Sequence, residues 1–73
     1  LDEAWLATQW QAVLGMPVAD READFFDLGG GSLAAAQLVS RLRVRVPEFS
    51  VADICDVARL AAMARAVRAV AED

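Results

Sequence analysis

The chain has 73 residues, 58% of them hydrophobic, and a formal net charge of −4 from seven arginines and eleven carboxylates. This composition predicts one small globular domain with too little core for an enclosed active site, and its negative charge argues against nucleic acid as the main partner. Histidine is absent, so the chain lacks a Ser-His pair or a His metal ligand, and we do not expect it to be an enzyme by itself.

The first helix is predicted from about Asp2 to Leu14, where Gly15 can end it. Its inward face holds four apolar residues at helical spacing, which are Leu6, Trp10, Val13 and Leu14. Trp5 lies off this face, and we expect it at the edge of the core rather than on an exposed patch.

A long loop follows from Gly15 to Gly31, because no helical period survives there. Its expected apolar anchors are Val18, Leu28 and one or both of Phe25 and Phe26, and residues 24–28 are predicted to form a short helical turn. Long loops in small domains are usually functional or held by their own side chains, and both are expected here.

The same loop carries alternating carboxylates, at Asp20, Glu22, Asp24 and Asp27. A calcium-binding EF-hand loop opening at Asp20 would need glycine and glutamate where the chain has Phe25 and Gly31. We therefore predict an acidic rim in contact with solvent and no metal site.

The second helix is predicted from Ser32 to about Val44. Ala35, Leu38, Val39 and Leu42 have the spacing of an inward face. Leu33, Ala36, Gln37 and Ser40 form the opposite face, which is small and uncharged. From the residues alone, this face is equally well interpreted as a docking surface or as a plain helix surface.

The third helix is short, from Val51 to Cys55, because Ser50 and Asp53 have the spacing of a capping box. Val51 and Ile54 are predicted to enter the core, and Cys55 to be a buried small hydrophobe rather than a nucleophile.

Asp56 can cap a fourth helix from Val57 to about Val70. Its predicted inward residues are Leu60, Met63, Ala64, Val67 and Val70, and its outer residues are Arg59, Arg65 and Arg68. Three longer helices and one short helix predict an all-α fold, a small four-helix bundle.

The run of three glycines before Ser32 places an accessible hydroxyl where the second helix begins. A phosphate-binding P-loop needs lysine, which the chain lacks, and a nucleophile elbow needs glycine where Ala34 stands. From the residues alone, a Ser32 that merely caps the helix is favoured over a modified serine, although a helix N-terminus also suits a phosphate.

Three segments of the chain match a known pattern: Trp10-x-x-Val13-Leu14-Gly15, Asp24-Phe-Phe-Asp-Leu-Gly-Gly-Gly-Ser-Leu33 and Leu38-Val-x-Arg-Leu-Arg43. Together they closely resemble the peptidyl carrier (thiolation) domains of nonribosomal peptide synthetases, over Leu6 to about Val70. The tri-glycine and the alanine-rich start of the second helix look most like carriers of poly-ε-lysine synthetases. This resemblance reverses the preference for a capping serine.

The resemblance implies that Ser32 is the attachment point of covalent 4′-phosphopantetheine, whose thiol carries aminoacyl or peptidyl thioesters. The implied partners are a phosphopantetheinyl transferase with coenzyme A, an adenylation domain, and condensation, thioesterase or other downstream domains. Seven positions match the family's partner-docking surface: Asp27, Leu28, Gly31, Leu33, Ala36, Gln37 and Ser40. An acyl carrier protein of fatty-acid or polyketide synthesis and an unmodified helical interaction module are the alternatives.

One segment departs from the family pattern. Before the last helix the family usually has an aromatic residue, a histidine and a proline where this chain has Cys55, Val57 and Ala58. Loss of a proline at a helix start removes a preset φ, so the third and fourth helices are expected to join differently.

The chain begins without an initiator methionine at Leu1 and ends at Asp73, so we interpret residues 1–73 as one domain excised from a larger synthetase. One cysteine and no signal or membrane-spanning run predict a cytoplasmic location without direct membrane contact.

Overall fold

A computed structural model describes residues 2–72 of the chain, with the side chain of Glu72 left out, and folds them around four α-helices. These are α1 (Glu3–Leu14), α2 (Ser32–Leu42), α3 (Val51–Asp56) and α4 (Leu60–Glu72). Over this range the only β-type pairing is an isolated bridge between Asp24 and Arg59. The predicted all-α bundle of three longer helices and one short helix is confirmed.

Helix α1 begins and ends at the residues that its sequence predicts. The Asp2 carboxylate accepts the backbone N–H of Trp5 at 2.8 Å, and Gly15 ends the helix with φ of 70°. Leu6 and Trp10 are fully buried. The Asp2 cap, Gly15 and the spacing of the apolar residues were therefore sufficient to predict this helix and its buried face.

Helix α2 ends at Leu42, two residues before the predicted end at Val44. Arg45 and Val46 donate their backbone N–H groups to Leu42 O at 3.0 and 2.8 Å, which turns the chain away from the helix axis. Val46 and the following Phe49 are then buried, although no periodic pattern had assigned them to the core.

Helix α3 has the predicted capping box, since Ser50 and Asp53 each bond the backbone N–H of the other. Ile54 is buried as predicted. Two other predictions are wrong: Val51 is 42% exposed and Cys55 is exposed. A helix of six residues turns one side chain fully into the core, and that side chain is Ile54.

Helix α4 begins at Leu60 instead of Val57, and the prediction that Asp56 caps it is wrong because Asp56 is the last residue of α3. Backbone contacts with the long loop set the start: Leu60 N–H donates to Ala23 O at 3.1 Å, and Ala61 N–H to Arg21 O at 2.9 Å. Loop carbonyls thereby bind amides that open the helix.

The predicted inward residues of α4 lie as expected, with Leu60, Met63, Ala64 and Val67 buried and Val70 packed against the core. Trp10 lies at the centre, edge-on to Phe25 with ring centroids 5.2 Å apart, and its Nε1–H approaches Met63 Sδ at 3.4 Å. The core thus joins α1, α4 and the long loop.

Within the described residues, no helix combines the length and the apolar content needed to cross a membrane.

Candidate functional site

The loop between α1 and α2 is anchored by one of its two phenylalanines. Phe25 is completely buried, whereas Phe26 is 37% exposed and stands edge-on to it. Val18 is buried and Leu28 half-buried, so these two predicted anchors are confirmed. The choice between Phe25 and Phe26, which the sequence left open, is made by the contact of Phe25 with Trp10.

Two of the loop carboxylates close turns of the backbone. Asp24 Oδ1 accepts the N–H groups of Phe26 and Asp27 at 2.8 and 3.2 Å, and Asp20 Oδ1 accepts that of Glu22 at 2.9 Å. Leu28 N–H then bonds Asp24 O at 3.1 Å, which forms the predicted helical turn. Asp24 therefore holds the segment that leads to the glycines.

Gly30 lies against Phe25 more closely than any side chain would allow. Its N–H donates to Phe25 O at 3.0 Å, and an added Cβ would stand 2.5 Å from two ring carbons and 2.6 Å from that oxygen. Nothing lies within 4 Å of a Cβ built on Gly31. The sequence analysis missed this difference, because three successive glycines carry no signal of which one is confined.

We predict that Gly30→Ala lowers the free energy of unfolding by about 1–3 kcal/mol, because the buried Phe25 cannot move away from the new methyl group. Gly31→Ala is the matched control: its φ of −136° suits alanine and no atom lies within 4 Å of the added Cβ, so only the weaker capping by alanine should cost stability, less than about 1 kcal/mol. Urea unfolding of both variants measures the difference. Equal stabilities would contradict the role assigned to Gly30.

Ser32 is the first residue of α2 and is exposed. The residue that caps the helix is Gly31, and no side chain bonds the opening amides. The interpretation of Ser32 as the helix cap is therefore wrong. The first backbone bond of α2 runs from Ala35 N–H to Gly31 O at 2.8 Å, so the amides of residues 32–34 are open and give this end a partial positive charge.

The seven predicted docking positions are all on the surface, but they are not equally accessible. Leu33 is 74% exposed. Ala36, Gln37, Ser40, Asp27 and Gly31 are also exposed, and Leu28 is half-buried against the core. We call the four α2 residues, Leu33, Ala36, Gln37 and Ser40, the docking face. It lies beside Ser32 and opposite the buried residues of α2.

A family model described as "Phosphopantetheine attachment site" matches residues 4–67, which include the loop, Ser32 and the docking face. The chain belongs to this family. It is accordingly a carrier domain whose cofactor is covalent phosphopantetheine.

Relatives of this carrier domain are found in peptide synthetases. Pyochelin synthetase PchE of Pseudomonas aeruginosa is 44% identical over 68 residues, which are 92% of this chain and 5% of that protein. Nonribosomal peptide synthetase asaC of Aspergillus flavus is 54% identical over 41 residues, or 56% of this chain and 4% of that one. The carrier domain thus spans about one-twentieth of the synthetases it matches.

Solved structures share the fold of the carrier domain. A nonribosomal PCP domain superimposes with a TM-score of 0.75 at 35% identity, covering 86% of this chain and 82% of its own. BlmI, a type-II acyl-carrier protein from Streptomyces verticillus involved in bleomycin biosynthesis, has a TM-score of 0.83 at 29% identity, with 92% and 82% covered. Together with the synthetase relatives, these similarities identify a peptidyl carrier domain of the nonribosomal type.

Proposed function

We propose that Ser32 is the residue to which phosphopantetheine is attached. The observation that carries this proposal is its exposure at the open N-terminus of α2, two residues after Gly30, which is held by Phe25. The residues fit the group chemically. The open amides suit a phosphate, and α2 has no acidic side chain in its first turn to repel it.

In the loading step, Ser32 Oγ attacks the phosphorus of coenzyme A that bears the pantetheine. A new O–P bond forms, and the bond to the other phosphate breaks, so that adenosine 3′,5′-bisphosphate leaves with the electron pair. The serine proton passes to a base of a separate transferase, since this chain has no histidine to accept it. When bound, the arm supplies a thiol that carries an acyl group as a thioester.

The carrier domain then presents that group to other active sites and performs no chemistry itself. We propose that residues 1–73 are one domain of a longer synthetase, which agrees with the small share of each relative that the chain covers. Its partners would be the transferase, an adenylation domain that selects the amino acid, and a condensation, thioesterase or other downstream domain. A flexible tether raises the local concentration of cargo at each site. The exposed single Cys55 fits the reducing cytoplasm, where we expect the synthetase to be located.

The direct test is incubation with coenzyme A and a phosphopantetheinyl transferase of broad specificity, followed by intact-protein mass spectrometry. A mass gain of one arm, located to the peptide that contains Ser32, supports the proposal. No gain would favour the unmodified interaction module.

An acyl carrier of fatty-acid or polyketide synthesis is the second candidate, because BlmI is named an acyl-carrier protein. The cargo distinguishes the two. The loaded domain should accept aminoacyl groups from an adenylation domain and not malonyl groups from a malonyltransferase; the opposite result would select the second candidate.

We predict that Leu33→Asp lowers kcat/KM for loading or for a downstream domain by about tenfold or more, because it places a charge on the uncharged docking face beside Ser32. The fold should persist, since Leu33 is 74% exposed and an acidic residue suits the first turn of a helix. Thr8→Asp is the control, as Thr8 is an exposed, uncharged residue of α1 and does not belong to the docking face. Unchanged kinetics in Leu33→Asp would contradict the docking face.

A further inference from the structure

A groove lies between α1 and the end of α2, away from Ser32. It is lined by Trp5, Gln9, Arg41, Val44 and Arg45. Two contacts shape it: Arg41 Nε donates to Gln9 Oε1 at 2.9 Å, and the guanidinium of Arg45 stands 5.5 Å from the centroid of the Trp5 ring. We call it the arginine groove. Its walls therefore combine two cations with an indole and an exposed aliphatic side chain.

Among the side chains that the structure describes, no carboxylate forms an ion pair with Arg41 or Arg45 of the arginine groove. Arg41 and Arg45 are held by an amide and an aromatic ring, which leave the positive charges intact. Over residues 2–72 the one ion pair is that of Arg21 with Glu3, elsewhere on the surface. No acidic residue occurs between Asp27 and Glu48. A protein of net charge −4 thus concentrates positive charge at this place.

The apolar part of the groove also lacks a covering within the described residues. Val44 is 81% exposed, more than any other large hydrophobic side chain that the structure describes, and Trp5 is half-buried. Apolar surface framed by arginines is typical of protein contacts, where Trp and Arg are enriched.

We propose that the arginine groove binds an acidic peptide segment of a partner protein, with two carboxylates on Arg41 and Arg45 and an apolar side chain against Val44 and Trp5. Guanidinium groups suit carboxylates because they donate two parallel hydrogen bonds. Arg41 Nε already donates to Gln9, which restricts the side chain and limits the entropy lost on binding, and both Nη groups stay available to a carboxylate.

The arginine groove is distant from Ser32, and Arg41 directly follows Ser40, the last residue of the docking face. Arg41 lies nine residues after Ser32, or roughly 14 Å along the helix at about 1.5 Å per residue. A segment in the arginine groove would therefore hold the domain to a partner while the arm on Ser32 visits active sites. Peptide binding in the arginine groove does not require an arm on Ser32, so it can be tested on the chain without phosphopantetheine.

The test is a ¹⁵N NMR titration of the chain with a capped peptide of sequence Glu-Leu-Glu-Leu-Glu-Leu. The indole N–H signal of Trp5 should shift in a saturable manner, whereas that of the buried Trp10 should not. The same peptide with glutamine in place of glutamate should bind at least tenfold more weakly. Arg41→Gln with Arg45→Gln should weaken binding of the acidic peptide to the same extent.

Arg65→Gln with Arg68→Gln is the matched control, because it removes the same charge from the exposed side of α4. Its affinity should stay within twofold of the wild type, and thermal melts of both double variants verify that each is folded. The proposal is overturned if no saturable shift of Trp5 occurs, if the neutral peptide binds equally, or if the two double variants lose affinity alike.

Discussion

Ser32→Ala is expected to abolish loading completely while leaving the fold intact. The reaction needs an oxygen nucleophile, and alanine has none. The side chain of Ser32 is exposed and does not cap α2, whose cap is Gly31, so its removal should cost little stability. Intact mass after incubation with coenzyme A and transferase should show no added arm, and circular dichroism should match the wild type.

Thr8→Ala provides the control for loss of a hydroxyl elsewhere, since Thr8 is exposed on α1 and bonds only to Ala4 O of its own helix. This variant should load like the wild type. A mass gain that persists in Ser32→Ala would move the modification to another side chain, for which Ser40 and Ser50 are the remaining serines. The proposal for Ser32 would then be rejected.

Leu38→Ala should cause the largest loss of stability, about 2–5 kcal/mol of unfolding free energy, because it leaves a cavity around a completely buried side chain. A domain of this length has roughly 4–11 kcal/mol in total. The melting temperature should consequently fall by on the order of 10 °C or more.

A leucine-to-alanine substitution on the exposed side of α2 tests whether burial is the cause of the lost stability. Leu33→Ala removes the same atoms from a side chain that is 74% exposed, and we expect a change within about 0.5 kcal/mol. Urea unfolding of both variants measures what the loss of the same atoms costs at a buried position and at an exposed one. If the two variants unfold alike, the assignment of Leu38 to the core is wrong.

Local patterns predicted much of the fold. The Ser50–Asp53 capping box and the left-handed Gly15 involve residues within a few positions of each other, so their geometry depends little on the rest of the chain. Helical spacing likewise predicted the buried face of α2, and thereby the exposed face opposite it, which we propose as the docking face. Helical spacing did not predict the buried side of α3, because six residues contain too few turns to define a period. Val51 and Cys55 were predicted to be buried and are exposed.

The candidate functional site was likewise predicted only in part from the sequence. Residue types and their order drew attention to Ser32 and the glycines, and the resemblance to a known family then favoured modification of Ser32 over capping. Which phenylalanine holds the loop, and which glycine is confined by it, depends on the meeting of Phe25 with Trp10 of α1. The arginine groove could not be foreseen either, since Trp5 and Arg45 are distant along the chain and belong to different segments.

By itself, the sequence determined the helical class of the protein, the buried faces of its longer helices and the serine proposed for loading. The tertiary structure alone decided where α4 begins, because loop carbonyls at Arg21 and Ala23 bind amides that open this helix. It also decided that Phe25 rather than Phe26 anchors the long loop, through the contact of Phe25 with Trp10. The physical reason is how far apart the contacting residues lie along the chain. Helix caps and helical spacing involve residues a few positions apart, whereas these hydrogen bonds and ring contacts join parts of the chain that only folding brings together.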